Sequence, residues 1–263
     1  MTAPAALHMA DVRYRWHRRA PWAINLPVLT LAAGEHVFLA GPSGSGKSTL
    51  LALIAGIAAP QAGQITVLGE RLTSLSGARR DCFRAEHLGI IFQQFNLLPY
   101  LSVLDNVLLP CRFSRRRRQQ AIERDGSPEA QATRLLGRLG LAADDVLRRP
   151  VTALSVGQQQ RVAAARALMG APGLVIADEP TSALDADRRA EFVTLLVQEC
   201  QAASAALLFV SHDLSLASRF QRSVSLPDIN ALSPPAALAS SGPHTQGAAT
   251  EHSTLPGSHG SRP

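Results

Sequence analysis

The stretch Gly41-Pro42-Ser43-Gly44-Ser45-Gly46-Lys47-Ser48-Thr49 decides the fold of this chain, because it fits the phosphate-binding loop pattern G-x-x-x-x-G-K-[ST]. Lys47 is the only lysine among 26 lysine and arginine residues. Its compact ammonium can reach phosphate oxygens where a planar guanidinium does not easily replace it. Ser48 adds a hydroxyl that can bind Mg²⁺. We therefore expect a nucleotide site formed by Gly41, Ser43, Gly44, Gly46, Lys47, Ser48 and Thr49.

The sequence on both sides of this stretch also fits a phosphate-binding loop. Residues 36–40 predict a short apolar strand that leads in, and residues 49–57 predict an apolar helix that is closed by Pro60 and Gly63. The positive N-terminal end of that helix would point at the phosphates. A glycine-serine turn that contains a lysine by chance would not be expected to have both flanks.

The composition limits the class of protein. A chain of 263 residues suffices for one large domain or two small ones, and no apolar run approaches the roughly 18 residues of a membrane span. The start lacks the features of a secretion signal, so we expect a chain that is not secreted. Cys82, Cys111 and Cys200 are far apart and indicate reduced cytoplasmic thiols. The net charge of +6 permits contact with an anionic membrane surface or nucleic acid but argues for neither.

Three strongly apolar runs predict the central sheet. Residues 36–40, 174–177 and 206–210 alternate with helical stretches, which is the pattern of a parallel α/β sheet. Residues 7–40 indicate short strands broken by Pro21, Pro27 and Gly34, and residues 64–68 indicate another strand. We expect these to form a small β-layer beside the phosphate loop.

The rest of the chain divides into two further segments. The segment from about residue 95 to residue 150 is expected to form a helical subdomain, with a turn at 125–128. Its run Arg115–Arg118 predicts a solvated helical face, and contact with lipid headgroups or a membrane partner is the alternative. From about residue 231 to 263 the composition turns to Pro, Ser, Ala, Gly and His, which predicts a disordered tail. The first 230 residues would form the folded domain.

Asp178 and Glu179 end the second apolar run with two adjacent carboxylates. At the C-terminal edge of a strand they would suit a phosphate-loop site, with Asp178 orienting Mg²⁺ and Glu179 polarising the attacking water. A solvated acidic turn is the alternative for this dipeptide taken alone.

The stretch Leu154-Ser155-Val156-Gly157-Gln158-Gln159-Gln160-Arg161 resembles the LSGGQ signature of ATP-binding cassette (ABC) ATPases. The resemblance extends over about residues 7–230. It implies that Ser155, Gly157 and Gln158 contact the γ-phosphate of a nucleotide held by a second subunit. Val156 departs from the usual glycine and excludes a positive φ, but it leaves the hydroxyl of Ser155 and the Gly157 amide in place.

The resemblance assigns roles to further residues. Gln93 matches the glutamine that senses Mg²⁺ and the γ-phosphate, although Gln94 leaves a one-residue ambiguity in the alignment. Residues 182–185 match the D-loop, and His212 matches the switch histidine. Trp16 matches the aromatic residue that stacks on adenine, and a core or surface aromatic is the alternative. The expected catalytic residues are Glu179, His212 and Gln93, and the expected Mg²⁺ ligands are Ser48, Gln93 and Asp178.

The resemblance implies an α/β ABC nucleotide-binding domain: a phosphate-loop core with an antiparallel β-layer and a helical subdomain. It implies Mg²⁺-dependent ATP hydrolysis by a homodimer that closes on two ATP molecules. A separate transmembrane permease would be the partner, which places the chain at the cytoplasmic face of the cell's inner membrane. No nucleic-acid partner is expected.

The motifs also indicate a subgroup. The segments 95–99, 105–110 and 177–181 are similar to those of lipoprotein-releasing and macrolide-efflux ATPases. Residues 181–185 are also common in amino-acid importers, so import remains an alternative. ABC ATPases of DNA repair or translation usually carry coiled-coil insertions or two cassettes, and neither is present. A kinase-like or GTPase protein would lack the signature at 155–161.

Overall fold

The structure is a computed structural model that describes residues 5–141, 144–182 and 184–232. Two predictions fall partly outside these residues. One is the D-loop, which includes Ala183, and the other is the tail, which is outside them from residue 233 onward.

The described residues begin with three strands, and five α-helices follow one another between the sixth and the seventh strand. The strands are β1 (Ala5–Tyr14), β2 (Ile24–Ala32), β3 (His36–Ala40), β4 (Ala62–Val67), β5 (Glu70–Arg71), β6 (Leu88–Ile91), β7 (Leu174–Asp178), β8 (Ala206–Ser211) and β9 (Arg222–Ser225). The α-helices are α1 (Lys47–Ile54), α2 (Gly77–His87), α3 (Val103–Phe113), α4 (Arg115–Asp125), α5 (Pro128–Arg138), α6 (Asp144–Leu147), α7 (Val156–Leu168), α8 (Ala186–Ala202) and α9 (Leu226–Ile229). Short 3-10 helices span Leu72–Ser74, Val151–Ala153 and Leu214–Arg219.

The expected β-layer is an antiparallel sheet with the strand order β2-β1-β4-β5. Contrary to expectation, Pro27 does not break a strand but lies within β2. The reason is that β2 is the edge strand of this sheet and Pro27 is exposed, so its missing N–H removes no hydrogen bond between strands.

The central sheet is parallel, with the order β6-β7-β8-β3-β9 among the described residues. The three apolar runs form β3, β7 and β8, as the sequence predicts. Because the strands are parallel, their carboxyl ends lie along one edge. The residues that follow β3, β6, β7 and β8 are therefore brought together there, although they are far apart in sequence.

Alternation along these strands divides the core in two. Phe38 and Phe209 face one side and pack against the helices α3, α5, α7 and α8. Val37, Leu39 and Leu208 face the other side and pack against α1 and the antiparallel sheet. The strands β3, β7 and β8 are covered on both faces, which explains their continuous apolar sequences.

The phosphate-loop helix differs slightly from its prediction. It begins at Lys47, two residues earlier than expected, and ends at Ile54 rather than Ile57. Gly46 at its N-terminus has φ 100°, which a residue with a side chain rarely adopts, so the helix can start directly at the lysine. Its N-terminal N–H groups consequently face the loop.

The segment expected to be helical contains α3, α4, α5 and α6. The prediction that Arg115–Arg118 form a solvated face is wrong for one residue. Arg117 is 1% exposed, and its guanidinium donates to the carbonyl oxygens of Met169 (2.8 Å), Ala167 (3.3 Å) and Leu88. Burial lowers the pKa of Arg117 to about 10. The other three arginines of the run are exposed.

In the part of the chain that the structure describes, no helix is both long and apolar enough to cross a membrane.

Candidate functional site

The phosphate loop connects β3 to α1 and has the curvature that its sequence predicts. Gly44 has φ 79° and Gly46 has φ 100°. A Cβ atom on Gly46 would also lie 3.0 Å from the carbonyl oxygen of Ala23, so glycine is required there for space as well as for conformation. Ser45 Oγ is buried and has no hydrogen-bond partner among the described residues.

Lys47 folds back over its own loop. Its Nζ donates to the carbonyl oxygens of Gly41 at 2.7 Å and Pro42 at 3.1 Å, and it lies 3.5 Å from Oε1 of Glu179. Only 8% of the residue is exposed. An ammonium held by carbonyl oxygens in this way is positioned at the mouth of the loop, where an anionic ligand would compete for it.

Ser48 and Asp178 form a pair of oxygen ligands. The hydroxyl of Ser48 donates to Oδ2 of Asp178 at 3.2 Å, across 130 residues of sequence. Burial raises the pKa of Asp178, and the nearby Glu179 raises it further, whereas the Ser48 hydrogen bond and Lys47 lower it. A hydroxyl and a carboxylate are ligands that Mg²⁺ prefers, so the donor set fits this ion.

Glu179 lies at the start of the turn after β7, in a strained conformation with φ 46°. The residue is 8% exposed, and its Oε2 lies 2.9 Å from Nδ1 of His212. His212 follows β8, and its side chain is largely exposed. Non-glycine residues with positive φ are often found at functional sites because the strain directs a side chain.

A cleft of about 380 Å³ brings these groups together. It lies at the carboxyl edge of the parallel sheet and includes Gln93, which follows β6 and is exposed. Gln94 does not line it. The lining residues are Ser43, Gly44, Gly46, Lys47, Ser48, Thr49, Gln93, Asp178, Glu179 and His212. Gly41 lies at the end of β3, where it accepts the bond from Lys47.

The signature residues lie elsewhere on this chain. Ser155 caps α7 in a capping box: its Oγ accepts from the Gln158 amide at 3.3 Å, and its own amide donates to Gln158 Oε1 at 2.9 Å. Neither Ser155, Gly157 nor Gln158 lines the cleft. Val156 is 49% exposed, so the surface at the start of α7 is open to a second molecule. The structure does not bring these residues to the phosphate loop of the same chain.

Trp16 is 58% exposed and packs edge-to-face against Tyr14, with their ring centroids 5.2 Å apart. It does not line the cleft. Its exposed ring is available for stacking on a base.

Two arginines near the site could not be found from the sequence. Arg166 of α7 donates to the carbonyl oxygens of Asn96 (2.7 Å) and Phe95 (2.6 Å), just after Gln93. Arg189 of α8 contacts Leu184 and Asp213. Neither residue falls in a motif. The partners of Arg166 are backbone oxygens 70 and 71 residues away, and Asp213 is 24 residues from Arg189, so no local pattern indicates these contacts.

The comparisons with known proteins agree with this geometry. A family model described as "ABC transporter" matches residues 25–182, more than half of the chain. The chain is 39% identical to the lipoprotein-releasing system ATP-binding protein LolD of Hydrogenovibrio crunogenus, over 75% of this chain and 82% of the relative. A LolD of Rhodopseudomonas palustris is 38% identical over 84% of this chain and 92% of the relative.

A second group of relatives is longer. The macrolide export ATP-binding/permease protein MacB of Chromobacterium violaceum is 40% identical over 76% of this chain, but the alignment spans only 30% of that protein. Among solved structures, a dimeric post-hydrolysis state of the ATP-binding cassette MJ0796 bound to ADP and Pi is similar. Its TM-score is 0.69, with 31% identity over 83% of this chain and 93% of the matched chain.

Proposed function

This chain belongs to the ABC transporter family, which confirms the predicted ABC ATPase and its fold class, and from that premise we propose how it works. We propose that Lys47, Asp178, Glu179 and His212 bind and hydrolyse ATP in one cleft. We also propose that the free energy of ATP hydrolysis drives movement of a separate membrane partner. One observation carries the proposal: Glu179 lies between Lys47 (3.5 Å) and His212 (2.9 Å) at the edge where the five described parallel strands end.

Binding of the phosphates falls to the loop and α1. The N–H groups of the first turn of α1 and the ammonium of Lys47 supply positive charge. ATP would displace the Lys47 ammonium from its carbonyl partners because a phosphate oxygen carries more negative charge. ATP binding is supported by the family and by the ADP-bound relative.

Ser48 and Asp178 would hold Mg²⁺, with Gln93 completing the set from across the cleft. The bound ion would neutralise charge on the β- and γ-phosphates. Asp178 must be ionised to serve as a ligand. Because burial raises its pKa, protons would compete with Mg²⁺ for this carboxylate as the pH falls.

Glu179 would accept the proton of the attacking water. Its carboxylate is shielded from solvent and lines the cleft beside the phosphate loop, which is the position that a general base requires. His212 would orient this carboxylate through the 2.9 Å contact, and its exposed side would face the γ-phosphate. Transfer of the γ-phosphoryl group to this water would leave ADP and phosphate in the cleft.

A complete site would need two copies of the chain. Ser155 and Gly157 lie outside the cleft and at an exposed helix N-terminus, which is a suitable surface for the γ-phosphate held by a partner copy. The similar MJ0796 cassette is dimeric. We therefore propose a homodimer with two composite sites, in which Val156 lies at the interface.

The membrane partner would dock in a groove between α2 and α3. This groove has a volume of about 380 Å³ and is lined mainly by apolar side chains, among them Phe92, Leu109 and Phe113. Phe113 is 78% exposed. Arg166 lies in the same groove and holds the segment after Gln93, so movement at the nucleotide could be transmitted to the docked partner.

The segment after Gln93 adds only part of an apolar surface beside this groove. Tyr100 is 78% exposed, but Leu97 packs against the core and Leu98 is half-buried. The docking surface that we propose is therefore the groove itself, with Tyr100 beside it. A permease at this surface would hold the chain at the cytoplasmic face of the membrane.

We further propose that the transporter exports or extracts its substrate. The LolD relatives are named for lipoprotein release and the MacB relatives for macrolide export, and this chain aligns with 82% of the LolD relative and 30% of the MacB relative. Co-purification with the product of an adjacent gene would test this. A partner with a large extracytoplasmic domain supports the proposal, and a permease that works with a binding protein supports import instead.

The decisive test of the chemistry is Glu179→Gln. The amide keeps the shape of the side chain but cannot accept a proton, so ATP turnover should fall roughly 10²–10⁴-fold. ATP affinity, measured with a fluorescent analogue, should remain. Turnover at the wild-type rate would refute the role of Glu179.

A further inference from the structure

Arg189 connects two segments that leave the catalytic edge of the sheet. It lies in the first turns of α8, where its guanidinium forms an ion pair with Asp213. Its Nη2 also donates to the carbonyl oxygen of Leu184 at 2.9 Å. Asp213 directly follows His212, and Leu184 is in the turn that follows Glu179. One side chain thus joins the segment after β7 to the segment after β8.

These contacts form a closed ring with the catalytic pair. Glu179 contacts His212 at 2.9 Å, and its carbonyl oxygen accepts from the Ser182 amide at 3.2 Å. The Leu184 amide donates to the carbonyl oxygen of Thr181 at 3.1 Å, which tightens the turn that leads to Arg189. The positions of Glu179 and His212 are therefore constrained from both ends, directly and through Arg189.

The ring also reaches the signature helix. A Cβ atom placed on Gly157 would lie 3.3 Å from Cδ2 of Leu184, so the Leu184 side chain packs against the first turn of α7. The first turn of α7 is the surface that would face the other copy's nucleotide. A shift of α7 would be passed to Leu184 and, through Arg189, to the His212 segment.

The ion pair between Arg189 and Asp213 is sufficiently buried to hold the segment after β8 in position. The side chains of Arg189 and Asp213 are 26% and 22% exposed, whereas the neighbouring pair Arg188–Asp185 is 72% and 60% exposed with a separation of 3.4 Å. Partly desolvated pairs interact more strongly than exposed ones. The other oxygen of Asp213 accepts from the amide (3.1 Å) and the hydroxyl (2.6 Å) of Ser215, so the carboxylate is fixed on both sides.

We propose that Arg189 is a positioning residue that holds His212 in register with Glu179 and links this pair to the turn that packs against the signature helix. The proposal rests on the proposed ATPase function. Arg189 does not line the cleft, so its loss should affect the chemical step rather than the binding of the nucleotide. A displacement of about 1 Å at a catalytic group can lower a rate by about 10²-fold.

The test compares purified full-length variants by kcat, KM, affinity for a fluorescent ATP analogue and thermal melting. Arg189→Ala should lower kcat about 10- to 100-fold while the affinity for the analogue is unchanged. Arg189→Lys should have an intermediate kcat, because the ammonium restores the charge but lacks the planar fork that reaches both partners. The matched control is Arg188→Ala, which removes the same side chain one residue earlier and should behave as the wild type.

Two results would overturn the proposal: a kcat of Arg189→Ala equal to that of Arg188→Ala, or a loss of affinity that accounts for the whole defect. If Arg189→Ala melts below the assay temperature, Asp213→Asn decides, because it keeps an acceptor for Ser215 but loses the ion pair. It should reduce kcat, and a wild-type kcat would overturn the proposal. Glu179→Gln in the same assay separates the two hypotheses: if it is inactive while Arg189→Ala is normal, only the positioning role fails.

Discussion

His212 and Glu179 are in direct contact, with 2.9 Å between Nδ1 and Oε2, although 33 residues separate them in sequence. The contact exists because β7 and β8 are adjacent and parallel, with Asp178 paired to Val210. The residue after each strand therefore emerges at the same edge. The contact places Glu179, the proposed general base, beside His212, which can hold it by hydrogen bonding. Both residues line the cleft that contains the phosphate loop.

The proposed homodimer, in which each ATP is bound by both copies, should form only when ATP is present. Glu179→Gln should be monomeric without nucleotide and dimeric with ATP, because uncleaved ATP would bridge two chains through Ser155 and Gly157. ADP should not substitute, since it lacks the γ-phosphate. Size-exclusion chromatography with light scattering measures both states.

A second change controls for this dimer. Ser155→Arg in the same background should abolish the ATP dimer by steric bulk at the exposed start of α7. If the double variant still dimerises with ATP, the signature surface is not the interface. A Glu179→Gln chain that stays monomeric in ATP contradicts the homodimer proposal for the isolated chain.

Lys47 should not tolerate replacement by arginine. Its Nζ fits between two carbonyl oxygens at 2.7 and 3.1 Å, and the residue is 8% exposed, so a longer planar group has no space. Lys47→Ala should abolish nucleotide binding or turnover, and Lys47→Arg should be strongly impaired. Circular dichroism should show an unchanged fold for both, because no core volume is removed. Near-normal hydrolysis by Lys47→Arg would contradict the expectation.

Arg117 should contribute to stability despite its place in an arginine run. Arg117→Ala leaves the carbonyl oxygens of Met169 and Leu88 without this donor, and an unsatisfied buried group costs about 1–3 kcal/mol. The free energy of unfolding, measured with urea, should fall by that amount. The control is the exposed neighbour Arg116→Ala, whose effect should be within about 0.5 kcal/mol. Equal effects of the two variants would contradict the buried role.

His36 should make the fold sensitive to acid. It is 2% exposed, and burial lowers its pKa in the folded state, although a contact of 3.3 Å to the carbonyl oxygen of Ala205 partly opposes this. Below the unfolded-state pKa of about 6.5, the unfolded chain binds a proton that the folded chain binds less readily, so stability falls as pH decreases.

The measurement is the free energy of unfolding of the wild type and His36→Gln between pH 8 and pH 5. The difference between them should be constant above about pH 7 and should change in favour of the variant as the pH falls further. Parallel curves over the whole range would show that His36 does not contribute to the acid dependence.

The sequence by itself determined the phosphate loop, the three apolar strands and the order of the motifs, because each depends on spacing within a few residues. Parallel pairing then brings the ends of these strands together, so most of the cleft, from Ser43 to His212, could be predicted. Only the tertiary structure decided that Arg117 is buried while its neighbours are exposed, that Pro27 is tolerated at a sheet edge, and that Arg189 joins Leu184 to Asp213. The physical reason is that the solvation and partners of a side chain depend on residues remote in sequence, which no local pattern records.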